Sequence, residues 1–310
     1  MFGFNIESDL DLLKLQTDGG SRTLTCYEDR AIQSSVLTNM SGLVGENQYG
    51  TILVYLHGTG KFISIKDMGC FFVEGTNITY HITSPAFSEA AVCIVIGTHI
   101  LGNILLPQHY LLHATTVIKT KTGKAVALMG VSGTGKSTMA LSLLTRCGYS
   151  LLSEDMSVLC LDKNDIVAKK GLPYVKAWDD TIQYLEHGGI FFGKIANVYK
   201  TEKKQILDIR NLMWKEPTIK LDGIIILKRS QKNGESPRIL TNVESYISLM
   251  ENHYIGYSCT MPEHKQQARL LRNILLAGIP VYTFSYPNGY EYLDEAASAL
   301  DKFISNLPRL

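Results

Sequence analysis

A glycine-rich run at residues 130–137 constrains this chain more than any other feature. The run reads Gly-Val-Ser-Gly-Thr-Gly-Lys-Ser and matches the Walker A pattern G-x-x-x-x-G-K-[ST] in full. Strand-like residues 125–129 precede it, and apolar residues at i, i+3, i+4 and i+7 from Ala140 to Cys147 predict an amphipathic helix after it. Strand, glycine-rich loop and helix in this order form the context that the phosphate-binding motif requires, so the sequence predicts nucleotide binding.

Each part of the motif has a chemical task. The glycines let the backbone curl so that its N–H groups converge on phosphate oxygens, and the start of the following helix adds a favourable dipole. Lys136 is predicted to reach the terminal phosphates, and the Ser137 hydroxyl to ligate Mg²⁺. ATP and Mg²⁺ are the expected cofactors, although the motif by itself does not distinguish ATP from GTP or pyrophosphate as the donor. The predicted nucleotide-binding residues are Gly130, Ser132, Gly133, Thr134, Gly135, Lys136, Ser137 and Thr138.

The chain divides by its hydrophobic pattern into two predicted domains. At about 150 residues per domain, 310 residues correspond to about two. Short apolar runs separated by turns predict a β-rich domain over residues 1–100, with a hairpin formed by 51–56 and 61–65. Alternating strands and helices predict an α/β domain over residues 101–310, with 223–227 as a buried central strand and a C-terminal amphipathic helix.

The composition of the chain limits which cellular environment and which classes of partner are expected. Thirty Lys and Arg against 29 Asp and Glu leave a net charge of +1, which argues against nucleic acid or membrane surfaces as partners. The apolar stretch 90–108 is predicted to be a buried helix rather than a membrane span. Six cysteines without a CxxC pair, and an N-terminus unlike a signal peptide, predict reduced thiols and a cytoplasmic protein.

A phosphoryl-transfer site also needs acidic side chains near the loop. The apolar strand 223–227 ends in Lys228-Arg229 rather than in an acid, and with Lys232 these residues are predicted to form a solvated basic loop. The alternative role for this basic run is to grip an acidic peptide. Glu154 and Asp155 follow a predicted strand at 149–152 and lie only 18 and 19 residues after Lys136. That spacing leaves room for one helix and one adjacent strand, so the acids are expected beside the loop.

Three segments together resemble a known family. The segments 112–115 (Leu-His-Ala-Thr), 130–138 and 151–155 (Leu-Leu-Ser-Glu-Asp) resemble the catalytic domain of HPr kinase/phosphorylase. They are more similar still to the HPr-kinase-like serine kinases of lasso-peptide and related biosynthetic clusters. The strongest resemblance covers about residues 112–180. It implies a fold similar to phosphoenolpyruvate carboxykinase: an α/β P-loop kinase domain preceded by a small β-rich domain.

The resemblance also implies roles for individual residues. Lys136 would contact the terminal phosphates, Glu154 would take the proton from a substrate hydroxyl, Asp155 would assist with metal or positioning, and His113 would lie beside the acid. The implied reaction is transfer of the γ-phosphoryl group of ATP to a serine of a peptide or protein, with a lasso-type precursor peptide as the most specific substrate. Related kinases often assemble, so a homo-oligomer is also expected.

Two departures from the family pattern leave questions open. The family usually has Asp-Asp where this chain has Glu154-Asp155, so the identity of the base stays open. The signature that runs like LEIRGxGIID in true HPr kinases is absent, and residues 208–210 (Asp-Ile-Arg) are only a faint echo of it. HPr itself is therefore not the expected substrate. A slow ATPase acting as a switch and an inactive kinase-derived scaffold remain as alternative functions.

Simpler structural roles exist for several of these residues. His113 could be a core histidine, and Glu154-Asp155 could be a plain turn between two strands. Trp178 is predicted to have a packing role, and Asp179-Asp180 to cap a helix, rather than to contact a substrate. Arg210 could clamp a phosphate or form a surface salt bridge.

Overall fold

Several β-sheets and the helices packed on them make this a mixed α/β protein. The computed structural model describes residues 1–10, 22–32, 41–187, 192–197, 203–230 and 236–309. These residues form two compact units. The first contains residues 1–108, 196–202 and 255–267, and the second contains 109–195, 203–254 and 268–310.

The strands are β1 Phe4–Ser8, β2 Arg22–Glu28, β3 Ser41–Glu46, β4 Ile52–His57, β5 Gly60–Ile65, β6 Gly69–Glu74, β7 Asn77–Ile82, β8 Tyr110–Leu112, β9 Ala114–Lys119, β10 Lys124–Met129, β11 Tyr149–Ser153, β12 Ser157–Asp162, β13 Asp165–Lys169, β14 Tyr174–Trp178, β15 Gly193–Asn197, β16 Lys204–Asp208, β17 Thr218–Lys220, β18 Gly223–Ser230, β19 Arg238–Ile239 and β20 Val281–Pro287. The α-helices are α1 Glu89–Val95, α2 Leu101–Leu105, α3 Lys136–Arg146, α4 Asp179–His187, α5 Asn242–Glu251, α6 Met261–Leu276 and α7 Leu293–Asn306.

A seven-stranded sheet dominates the first unit. Its strand order is β1-β2-β7-β6-β5-β4-β3. The predicted hairpin is confirmed: β4 and β5 pair antiparallel from Ile52↔Ile65 to His57↔Gly60. Gly58 in the connecting turn has φ +58°, a left-handed conformation that glycine adopts without steric cost.

The apolar stretch 90–108 is largely helical and buried, as predicted. Helix α1, a π-helical turn at Ile96–Ile100 and α2 follow one another directly. Ser88 begins this run as a cap, because its hydroxyl accepts a hydrogen bond from the Ala91 amide at 3.2 Å. None of the described helices is long and apolar enough to cross a membrane.

A six-stranded sheet organises the second unit. Its order is β11-β9-β10-β18-β20-β19, and β10, β18 and β20 run parallel. Gly223–Leu227 of β18 is fully buried, which confirms the predicted central strand. Alternate residues of β10 face opposite layers: Leu128 packs with the layer that contains α3 and α7, and Ala127 packs with the layer that contains α5 and part of α6.

The register of this sheet brings three chain segments to one edge. Met129, the last residue of β10, pairs with Ala114, the first of β9, and Ser153, the last of β11, pairs with Thr116. The loop after β10, the residue before β9 and the turn after β11 therefore lie side by side. These segments carry the glycine-rich loop, His113 and the acid pair.

Candidate functional site

The glycine-rich loop connects β10 to α3 through backbone conformations that need glycine. Gly130 has φ +150°, and a Cβ there would lie 2.8 Å from the Leu227 carbonyl oxygen of β18. Gly135 has φ +87° and directly precedes the first residue of α3. Within the loop, the Thr134 hydroxyl donates to the Val131 carbonyl at 2.8 Å. The loop thus ends at a helix N-terminus, where free backbone N–H groups favour an anion.

Lys136 lies across the loop and is almost fully buried. Only 8% of the Lys136 residue is exposed, and its Nζ donates a hydrogen bond to the Gly130 carbonyl at 2.8 Å. Burial lowers the pKa of Lys136, and the nearby carboxylates of Asp155 and Glu154 partly offset this effect. A buried ammonium held inside a glycine-rich loop is suited to meet phosphate oxygens.

Ser137 is in direct contact with Glu154, the first of the two acids. Its hydroxyl donates to Glu154 Oε1 at 2.7 Å. No cluster of three or more His, Cys, Asp or Glu suited to a metal occurs among the described residues. Mg²⁺ commonly uses one or two carboxylates together with phosphate oxygens and water, so a hydroxyl beside the Glu154 carboxyl group, with Asp155 next in the chain, fits a Mg²⁺ ion bound with a nucleotide.

Asp155 is surrounded by hydrogen-bond donors. Its Oδ2 accepts from Lys176 Nζ at 2.7 Å and from the Tyr254 hydroxyl at 3.0 Å. His113 Nε2 lies 3.3 Å from Oδ1. Burial alone would raise the pKa of Asp155, but Lys176 and His113 outweigh it and hold the pKa well below its usual range. Asp155 is therefore ionised at neutral pH.

Glu154 has the opposite electrostatic behaviour. Burial and the neighbouring charge of Asp155 raise its pKa to about 7, although Lys176 and the Ser137 hydroxyl act in the other direction. Two adjacent carboxyl groups thus have widely separated proton affinities. Such a separation is typical of sites that bind and release protons.

The structure brings together five of the predicted residues, which are His113, Lys136, Ser137, Glu154 and Asp155. The described contacts place Thr138 farther along α3, with its hydroxyl 3.3 Å from that of Thr181. Ser132 and Gly133 form the exposed tip of the loop.

Two contributors to the site carried no predicted role. Lys176 sits on β14 between Val175 and Ala177, which are buried in the core, so strand alternation directs Lys176 away from the core. A lysine between two apolar residues of a strand is therefore a sequence pattern that could have identified Lys176. Tyr254 follows α5 and is 99 residues from Asp155 along the chain, and no local pattern marks it.

The structure also shows the surroundings of Trp178, Asp180 and Arg210, for which simpler structural roles were predicted. Trp178, the last residue of β14, is 50% exposed, and Lys204 Nζ lies 5.1 Å from its ring centroid. Asp180 accepts from the Thr181 amide at 2.8 Å in the first turn of α4. Arg210 forms the predicted surface salt bridge, with Asp208.

The basic run is only partly solvated. Lys228 is exposed, whereas Arg229 is half-buried. The prediction of a solvated loop is therefore wrong for Arg229. Lys232 lies outside the described residues.

In the described part of the chain, two cavities lie near the glycine-rich loop. The larger, of about 810 Å³, is lined by Gly130–Thr134 together with residues of β18 and α5. The smaller, of about 220 Å³, is lined by Thr138 of α3, by Arg229 of β18 and by the loop between β20 and α7. The larger cavity therefore offers space for a ligand against the loop itself.

Comparison with known proteins gives structural similarity without a sequence match. No protein-family model matches the chain, and no curated protein matches it. Among solved structures, the chain is similar to the Hpr(Ser) kinase/phosphatase from Coxiella burnetii, with 14% identity and a TM-score of 0.34. The match covers 63% of this chain and 94% of that chain. A TM-score this low carries no inference about activity.

Proposed function

We propose that this chain is an ATP- and Mg²⁺-dependent kinase that phosphorylates a serine hydroxyl on a peptide or protein. One observation carries the proposal: the Ser137 hydroxyl of the glycine-rich loop donates to Glu154 at 2.7 Å, with Asp155 next in the chain. A phosphate-binding loop in contact with a pair of carboxylates is the arrangement that phosphoryl transfer needs. The family resemblance of residues 112–115, 130–138 and 151–155 supports the same reaction.

The loop and Lys136 would bind the phosphates of the donor. Backbone N–H groups at the start of α3 would face phosphate oxygens, and Lys136 would exchange its bond to the Gly130 carbonyl for one to phosphate. Ser137 and Asp155 would hold Mg²⁺, which supplies charge neutralisation on the phosphates.

Glu154 would accept the proton of the serine hydroxyl. A base is most effective when its pKa lies near the working pH, and that of Glu154 is raised to about 7. Asp155 would remain ionised and fixed in orientation by Lys176, Tyr254 and His113. Glu154 would therefore transfer the proton, and Asp155 would serve in positioning.

The wider setting follows from the resemblance. A lasso-type precursor peptide is the most specific acceptor it suggests, with residues 1–100 as a β-rich domain and 101–310 as an HPr-kinase-like P-loop domain. We further propose a cytoplasmic protein that assembles as a homo-oligomer and has neither nucleic acid nor membrane as partner.

The test is transfer of label from [γ-³²P]ATP in the presence of Mg²⁺. Acceptors would be serine-containing peptides, including some that end in Ser, and lysate of the source cells, with Lys136→Ala as control. We expect label on a peptide or protein that disappears in Lys136→Ala. Label released only as free phosphate would instead indicate an ATPase switch, and full transfer by Lys136→Ala would refute the role of the loop.

A further inference from the structure

Arg229 occupies a position next to the glycine-rich loop that the proposed mechanism does not use. It lies near the end of β18, and β18 is hydrogen-bonded to β10, the strand that leads into the loop. Arg229 pairs in register with Tyr286 of β20. The central strand β18 therefore places a cation, Arg229, rather than an acid at the edge of the sheet where the loop lies.

Several contacts hold the guanidinium against the end of the loop. Its carbon lies 4.3 Å from the centroid of the Tyr286 ring, and Nη1 donates to the Pro287 carbonyl at 3.1 Å. The Tyr286 hydroxyl in turn donates to the Thr134 carbonyl at 2.6 Å. A Cβ on Gly135 would come within 2.5 Å of Arg229 Nη2, so the missing side chain of Gly135 makes room for the guanidinium.

The hydrogen-bonding capacity of Arg229 is not used up by these contacts. Its Nε is buried and has no hydrogen-bond partner among the residues that the structure describes, although a guanidinium carries five N–H donors. Within the described part of the chain, no carboxylate forms a salt bridge with it. A buried donor without an acceptor is unfavourable, so an arriving anion would relieve it.

Open space adjoins Arg229 in two cavities. Arg229 lines the cavity of about 810 Å³ and also the cavity of about 220 Å³. Lys228, its neighbour, lines only the larger of these two cavities and is exposed to solvent. Of the two cations, Arg229 alone is half-buried, stacked on an aromatic ring and adjacent to Gly135.

We propose that Arg229 is a second phosphate-binding cation of this site, which binds phosphate oxygens of the nucleotide held by residues 130–137. The planar fork of a guanidinium matches the geometry of two phosphate oxygens, and stacking on Tyr286 fixes its plane before the ligand arrives. The proposal rests on the proposed function, because it needs the loop to bind a nucleotide.

Calorimetric binding of ATP and ADP to the full chain in EDTA tests the proposal. Arg229→Gln should weaken both ligands at least tenfold, whereas the matched loss of charge in Lys228→Gln should weaken them less than twofold. Because Arg229→Gln gives up the contacts with Tyr286 and Pro287, binding is measured at a temperature at which the melting curve shows the nucleotide-free variant to be fully folded. The rise in melting temperature on adding ADP should be smaller than in the wild type.

The possible results distinguish an error in the role of Arg229 from an error in the proposed function. Wild-type affinity in Arg229→Gln would overturn the proposal, as would an equal loss of affinity in Arg229→Gln and Lys228→Gln. If Arg229→Gln does not fold, Arg229→Met, which keeps the apolar stem over Tyr286, takes its place with the same expectations. Failure of the wild type to bind either nucleotide would refute the proposed function, and this proposal with it.

Discussion

Replacing Glu154 by Gln should make the protein more stable while abolishing phosphoryl transfer. Glutamine retains an oxygen that can accept the hydrogen bond from Ser137, but it cannot take a proton. The structure raises the pKa of Glu154 from 4.5 to about 7 because burial and Asp155 disfavour its charged form. Ionised Glu154 therefore destabilises the native state, and the variant is free of that cost.

The magnitude and its pH dependence follow from proton linkage. A raised pKa means that the unfolded chain releases this proton at a lower pH than the native protein, so the wild type loses stability as pH rises from about 4.5 to 7. The shift of about 2.5 pH units, at ~1.4 kcal/mol each, gives a ceiling of about 3 kcal/mol above pH 7. At pH 5.5 the same linkage gives about 1 kcal/mol. The advantage of Glu154→Gln should therefore grow by about 2 kcal/mol between pH 5.5 and pH 8.

Urea denaturation in EDTA measures this difference. Both tryptophans, Trp178 and Trp214, belong to the second unit, so their fluorescence follows the unit that contains the site. ATP binding should persist in the variant while label transfer from ATP is lost. A stability difference that is the same at pH 5.5 and pH 8, or a variant less stable than the wild type at pH 8, would refute the electrostatic reasoning for Glu154.

Three further predictions test other parts of the molecule. Asp155→Asn should destabilise the second unit by about 1–3 kcal/mol in urea denaturation at pH 7, because Lys176 loses its charged partner; equal or greater stability would contradict the lowered pKa of Asp155. Gly130→Ala should cost about 1–3 kcal/mol and weaken ATP binding in calorimetry, because φ is +150° there; wild-type binding would show that the loop tolerates a side chain. In the first unit, burial alone would raise the pKa of Glu263, but Lys61, 2.8 Å away, lowers it, so the stability from this pair should be lost as pH falls below about 4.5. Lys61→Met should abolish that dependence in circular dichroism melts, and an unchanged acid transition would refute the pairing.

Local sequence was sufficient to predict the loop and its flanking elements. The residues that decide the conformation of 130–137 lie within the motif itself, and the helix after it is set by the spacing of Ala140, Leu143 and Leu144. The position of Glu154 and Asp155 was also accessible, because one helix and one strand separate them from Lys136. In each case the determining interactions span fewer than about 25 residues, the range over which periodicity and turn chemistry act.

The partners of the acids depend on contacts between distant segments. Lys176 reaches Asp155 because β14 packs beside α3, and Tyr254 reaches it because the segment after α5 returns to the same edge. Arg229 illustrates the same limit: its sequence context predicts a solvated loop, whereas stacking on Tyr286 makes it part of the loop's surroundings. Strand order decides these contacts, and strand order is not encoded in any short window.

The backbone at Asp155 explains how two consecutive acids acquire different properties. Asp155 has φ +67°, and the Met156 amide donates to the Glu154 carbonyl at 2.8 Å, so the chain turns sharply between the two side chains. One carboxyl group consequently meets Ser137 of the loop, while the other meets Lys176, Tyr254 and His113. Aspartate adopts this left-handed conformation at less cost than most residues, because its short side chain can bond locally. An aspartate at the second position thus allows the turn that separates a carboxyl group of raised pKa from one of lowered pKa.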